Sequence, residues 1–217
     1  MSQRLPGLSH EAATGVAQEV FAASDQFLGR TSNLVRILSN HSPFLARWFL
    51  GLVASVRQPG LGASTDARLR NLANIKTSMA NACTYCTAHT SIYGKGLGIN
   101  DDECAALDGD AYKNSPLFSD KEKAVIAWAE AMTNNTARPD QAVWEELKHH
   151  CTDVEIVEVS MASAMFNMIN RLNDSFWTEL ETPEYNARQW NAVEDLSIND
   201  IEAYAGRFGE AGRAERQ

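Results

Sequence analysis

Cys83-Thr84-Tyr85-Cys86-Thr87-Ala88-His89 places two thiols and an imidazole within seven consecutive residues. On a helix, residues three apart have Cβ atoms about 5–6 Å apart. A disulfide needs Cα atoms about 4.4–6.8 Å apart, so Cys83 and Cys86 can bridge and reopen without large backbone movement. His89 lies one helical turn beyond Cys86, within reach of the same face. The thiolate is the attacking species, and a helix amino terminus or a cationic histidine stabilises it. A helix starting at Asn81 would place Cys83 in a first turn and supply the first condition; His89 would supply the second. Oxidation would make a sulfenic acid at one cysteine, and the other would close a disulfide and release water.

Other readings of these residues compete. The cysteines can be small buried hydrophobes, with His89 on the surface. They can bind zinc through Cys83, Cys86 and His89, with a fourth ligand from His149, His150 or Cys151. Zinc sites usually draw two pairs from separate elements, and no second Cys-x-x-Cys is present. Attachment of a c-type haem is excluded, because it requires histidine directly after the second cysteine and Thr87 stands there.

The elements that must hold these residues read as helices. The chain has 217 residues, 44% hydrophobic and 22% charged, with a net charge of −9. That suits one domain with a sizeable core. The acidic surface, lacking any basic cluster, argues against nucleic acid as a partner. No apolar run reaches the ~18 residues of a membrane span. The amino terminus, Met1 to Pro6, has no hydrophobic signal core, so a cytoplasmic location is expected. Four cysteines in a chain this long do not make a secreted disulfide scaffold.

Six prolines, at 6, 43, 59, 116, 139 and 183, punctuate the chain between periodic segments. Val16, Val20, Phe21 and Phe27 mark a helix over about residues 9–29. Leu34 to Leu38 begin a second. Phe44, Leu45, Trp48, Phe49, Leu52 and Val56 recur at three- and four-residue steps and predict a core-facing stripe. Residues 65–93 contain neither proline nor glycine. Asn100…Glu103, Ser119…Glu122 and Thr152…Glu155 have the capping-box spacing. The last opens a long apolar helix from Ile156 to about Leu180. No alternating strand is evident. The expectation is an all-α protein of about eight helices: a domain over residues 1–182, then a polar extension, 183–217, with a last helix over Ser197–Phe208 and a frayed end at Arg213–Gln217. The starts at Thr65–Leu69 and Ser119–Lys123 look faintly alike, through duplication or shared capping chemistry.

Lesser candidates have plainer readings. His149-His150-Cys151 fits a helix end, where histidine caps carbonyls. Cys104 reads as a lone thiol in an acidic segment. Trp48, Trp128, Trp144 and Trp177 read mostly as core. Asn167, Asn170, Arg171 and Asp174 read as links between helices or one wall of a pocket.

The runs Asp66-Ala67-Arg68-Leu69-Arg70, Asn81 to Thr90 and Gly98-Ile99 resemble the carboxymuconolactone decarboxylase / AhpD-like alkylhydroperoxidase superfamily. Ala164 to Leu172 looks like its second helix, and His41-Ser42-Pro43 is similar as well; the resemblance covers about residues 30–181. It implies an AhpD-like helical fold, a homo-oligomer (dimer, trimer or hexamer) and cytoplasmic antioxidant chemistry. It implies reduction of a small organic hydroperoxide without metal or other cofactor, and regeneration by an external dithiol reductant. Carried over, Cys86 is peroxidatic and Cys83 resolving; His89, three residues beyond Cys86, is read from its spacing as the proton-handling partner. The chain departs from the pattern twice. Asn71 replaces the relay glutamate twelve residues before Cys83, and an amide cannot pass on a proton as a carboxylate does. Thr90 takes the usual histidine position, with His89 one earlier, a rotation of about 100° on a helix. His89 can still serve Cys86 directly, since three-residue spacing faces the same side; alternatively, Lys76 or a carboxylate from another segment or subunit replaces the relay. The alternatives are a redox sensor with little turnover, and a lyase of the carboxymuconolactone decarboxylase type.

Overall fold

The computed structural model describes residues 2–182 and 195–214, with the side chains of the last helix up to Phe208. Residues 183–194 of the expected extension, Pro183 among them, and 215–217 of the frayed segment lie outside the described residues. Ten α-helices and one 3-10 turn are present, with no strand among the described residues. The shortest, Asp101–Ala106, has only six residues. Among the described residues no helix is long and apolar enough to cross a membrane.

The chain divides into two compact units, Leu5–Ser64 with Glu181–Gln217, and Met1–Arg4 with Thr65–Leu180. The first holds α1 (Gly15–Leu28), α2 (Asn33–His41), α3 (Pro43–Arg57) and α10 (Ile198–Ala214). Val20, Phe21, Phe27, Val35 and Ile37 are buried in it. The stripe expected on α3 faces the other way. Phe44, Leu45, Trp48 and Leu52 are exposed, whereas Ala46, Leu50, Val53 and Ala54 form the buried face. That face mixes small and large side chains and packs against α1 and α2. Arg47 is buried on the same face, paired with Glu19. Trp48 is therefore not core; its ring meets Phe208 of α10 at 4.6 Å. The Tyr204 hydroxyl of α10 donates to the Arg47 carbonyl at 3.0 Å.

The second unit carries the motif. It holds α4 (Ala67–Ala80), α5 (Thr84–Gly96), α6 (Asp101–Ala106), the 3-10 turn Ala111–Asn114, α7 (Asp120–Thr133), α8 (Gln141–His150) and α9 (Asp153–Phe176). α4 is its axis and packs against α5, α7 and α9. One core joins Leu69, Ala73, Val125, Ala129, Leu147 and Val159, with Trp128 and Trp144 against it. Another joins Leu72, Ile75, Ile99, Leu107, Tyr112 and Ile126. Because α4 is surrounded, Arg70, Asn71, Asn74, Lys76 and Thr77 are buried with its apolar residues. All three capping boxes form, at Asn100, Ser119 and Thr152. The α4 start differs from the α7 start: Asp66 caps it by accepting from the Arg68 amide, which leaves the likeness of the two segments without a common cap.

The Thr152 box holds the α9 amino end, with the Thr152 amide donating to Glu155 at 2.9 Å. Losing a cap costs about 1 kcal/mol. Thr152→Ala is expected to destabilise this unit by about that much, read as a shifted midpoint in urea without a changed slope.

Candidate active site

Cys83 stands where two helices meet. α4 ends at Ala80, Asn81 is its C-cap, and Ala82 turns left-handed at φ 54°. The Cys83 amide donates back to the Ser78 carbonyl at 3.0 Å, and the Cys83 carbonyl accepts from the Thr87 amide at 2.9 Å. One residue thus closes α4 and opens α5. The expectation that Asn81 caps the motif helix is corrected: Asn81 ends α4, and Cys83 itself is the N-cap of α5. Asn81 instead donates to Asn167 of α9 at 3.0 Å. Cys86 falls at the third helical position.

The two thiols are together, reduced and buried. Cys83 is 1% and Cys86 2% exposed, and both are free. They share a hydrogen bond. That contact, burial and the charge of the neighbouring sulfur all push the Cys86 thiol well above the ordinary range, with Asn173 pulling the other way. The expected unusually acidic Cys86 is therefore not found in the reduced pair. Two sulfurs in one dry site cannot both ionise, so the proton left after the first ionisation belongs to the pair. The helix amino end is real but smaller than the effect of a second sulfur and desolvation.

This has a consequence for stability. An acid whose pKa is raised by folding contributes stability that is intact below its unfolded pKa and is lost as pH rises through the folded value. The thiols of Cys104 and Cys151, both raised chiefly by burial, act in the same direction. The reduced protein is expected to weaken above about pH 8.5, the ordinary thiol value. Denaturant titrations across that range check it, and Cys86→Ala should flatten the slope.

The residue that sequence reasoning missed is Asn173. It is buried on α9, and its amide donates to the Cys86 sulfur at 3.3 Å and to the Ile169 carbonyl at 3.1 Å. Its carbonyl oxygen has no hydrogen-bond partner. Asp174 adds a smaller, opposing influence on Cys86. His89 is buried, and its ring stacks on Tyr85 at 4.2 Å with 28° between the planes.

Both departures from the family pattern are occupied by side chains bonded to the α5 backbone. The Asn71 amide donates to the Thr90 carbonyl at 3.0 Å. The Thr90 hydroxyl donates to the Cys86 carbonyl at 2.8 Å. α4 and α5 approach so closely here that a Cβ on Gly94 would lie 2.9 Å from the Asn71 amide nitrogen. Lys76 is no substitute relay. Its ammonium is held by the Leu107 and Gly109 carbonyls and by Glu130 at 2.8 Å.

The remaining candidates lie elsewhere in the unit. His149 and His150 end α8 with their rings 4.7 Å apart, His150 facing Glu146, and Cys151 is packed in the core. Among the described residues no three His, Cys, Asp or Glu side chains are grouped to hold a metal. Asn167 bonds Thr133 and Asn81, and Asn170 bonds the Thr77 carbonyl, so both knit helices together. An open groove of about 730 Å³ runs along the other side of the junction, lined by Met79, Ala82, Thr84, Thr87 and Cys104 among others.

No family model matches the chain. It is 26% identical over 133 residues to the uncharacterized protein YnjA of Escherichia coli strain K12, covering 61% of this chain and 69% of that one. Two solved structures share the architecture. One is the debrominase Bmp8, as a cysteine-to-alanine variant in complex with 2,3,4-tribromopyrrole. It has a TM-score of 0.70 and 21% identity over 89% of this chain and 99% of that one. The other is an alkylhydroperoxidase AhpD core, an uncharacterized peroxidase-related protein of Ralstonia eutropha. Its TM-score is 0.69, with 18% identity over 87% of this chain and 96% of that one. The chain therefore has the all-α fold of these AhpD-like structures, with a reduced Cys-x-x-Cys pair at the junction of two of its helices.

Proposed function

We propose that the protein is a cytoplasmic thiol-dependent oxidoreductase that reduces small organic hydroperoxides through a Cys83–Cys86 disulfide. The observation that carries this is the hydrogen-bonded thiol pair beneath the Asn173 amide. Cys86 is the peroxidatic residue, Cys83 the resolving one, and His89 handles the proton.

The steps balance with the groups at hand. His89 takes one proton from the pair. The other moves across the S–H···S bond to Cys83, leaving the Cys86 thiolate facing the Asn173 amide. The thiolate attacks the outer oxygen of R–O–O–H. The O–O bond breaks, Cys86 becomes a sulfenic acid, and the alkoxide leaves with the Cys83 proton as an alcohol. The resulting Cys83 thiolate attacks the Cys86 sulfur. An S–S bond forms, the S–O bond breaks, and hydroxide leaves as water with the proton from His89. An external dithiol then reduces the disulfide by exchange. The second thiol thus does the proton work that a relay carboxylate would do, which accommodates Asn71.

The test is steady-state reduction of cumene hydroperoxide with a dithiol as electron donor. Turnover well above that of the free dithiol supports the reading. A rate no better favours a second reading, a redox sensor, whose motive is the commitment of Asn71 to the Thr90 carbonyl. Activity that survives removal of both thiols would point to a lyase instead. Halogenated aromatic compounds are the competing substrates to assay, given the likeness to a debrominase.

A further inference from the structure

α9 carries three asparagines at steps of three residues, and only one of them is fully bonded. Asn167 uses its whole amide. Its nitrogen donates to the Thr133 hydroxyl and the Ser163 carbonyl, and its oxygen accepts from Asn81 and Arg171. Asn170 and Asn173, 0% and 2% exposed, use half of theirs. The Asn170 nitrogen donates to the Thr77 carbonyl at 3.3 Å. The Asn173 nitrogen donates to the Ile169 carbonyl and the Cys86 sulfur. A carbonyl oxygen can bond only the NH2 side of an amide, which fixes both orientations. Each Oδ1 is left buried without a hydrogen-bond partner. A buried acceptor without a donor is costly, and an amide that only knits helices is satisfied as Asn167 is. Residues three apart on a helix are neighbours, so Asn170 lies beside the residue that holds the sulfur. What these oxygens call for is a donor. Asp174 adds negative charge nearby, which disfavours an anion and suits a neutral O–H.

We propose that the side-chain carbonyls of Asn170 and Asn173 form a hydroxyl-recognition site for a small neutral molecule, the hydroperoxide before reaction and its alcohol afterwards. The hydroperoxide half of this rests on the reading of Cys86 as peroxidatic. The O–H of R–O–O–H donates to these carbonyls and sets the outer oxygen beside the Cys86 sulfur, while the Asn173 nitrogen holds the thiolate. Asn173 thus orients both reacting atoms. When the O–O bond has broken and the alcohol has left, the same acceptors meet the O–H of the sulfenic acid. A peroxide with no O–H leaves the acceptors unpaired, and a site built this way rejects it.

Binding of cumyl alcohol and of cumyl methyl ether to the reduced full chain, followed by calorimetry, tests this without turnover. The wild type is expected to prefer the alcohol by roughly 10- to 100-fold. Asn170→Leu, close in size but without the acceptor, should erase most of that preference. Should Asn170→Leu fail to fold, Asn173→Leu serves in its place. In turnover, Asn170→Leu should raise KM for cumene hydroperoxide and leave the pH profile where it is. Equal affinity of the wild type for alcohol and ether, which carbonyls that hold only water would give, or a preference unchanged in the folded variant, would overturn the assignment. A preference without turnover supports the site and rejects the peroxidase reading; turnover without the preference does the reverse.

Discussion

Cys86→Ser is expected to lower hydroperoxide turnover by roughly 10³-fold or more, because a serine hydroxyl at neutral pH supplies no comparable nucleophile. The site contains one other buried thiol, Cys83, 1% exposed and fixed as the hinge of α4 and α5. It cannot simply take over, since Asn173 faces Cys86. Cys83→Ser separates the two roles. It removes the resolving sulfur and the proton that leaves with the alcohol. One slow oxidation should then leave a sulfenic acid on Cys86, which dimedone captures. The fold should survive both changes, because serine is close in size to cysteine, so circular dichroism and the urea midpoint should move little. Wild-type turnover in Cys86→Ser would reject the assignment of the nucleophile.

Asn173→Leu should act through the pH profile. The Asn173 amide is the one neighbour found to lower the Cys86 pKa, against burial and Cys83, which raise it. A hydrogen bond to a charged group is worth about 1.5–3 kcal/mol. At about 1.4 kcal/mol per pH unit, its loss should move the alkaline rise in kcat/KM up by about 1–2 units. Near neutral pH the rate should fall roughly 10- to 100-fold, and at high pH it should return towards the wild-type value. A residue that only packed α9 against α5 would lower the rate at every pH and leave the profile in place. An unshifted profile would show that Asn173 does not stabilise the Cys86 thiolate.

Local chemistry made much of this legible. Capping boxes at Ser119 and Thr152 state their own geometry, because the two residues that set each lie three positions apart in sequence. The Cys-x-x-Cys spacing likewise brings its two sulfurs together. Misreadings arose where distant packing decides. α3 turns Phe44, Leu45, Trp48 and Leu52 outward and Ala46, Leu50, Val53 and Ala54 inward, and since both faces carry apolar residues at helical spacing, no hydrophobicity pattern distinguishes the two. The break between α4 and α5 rests on a left-handed Ala82, where no glycine marks the turn. Asn173 lies 87 residues from the sulfur it contacts, and nothing near it in sequence signals a thiol. Cys86 looked acidic from its own helix and from His89. A dry site with a second sulfur outweighs both.

The central claim is that Cys83 and Cys86 form a reversible couple driven by hydroperoxide. Intact-mass and peptide mass spectrometry after one equivalent of cumene hydroperoxide, then after a dithiol, tests it most directly. The expected result is loss of two hydrogens at the Cys83–Cys86 peptide and their full return. Oxidation found instead at Cys104 or Cys151, or a pair still reduced after the hydroperoxide is added, would contradict it.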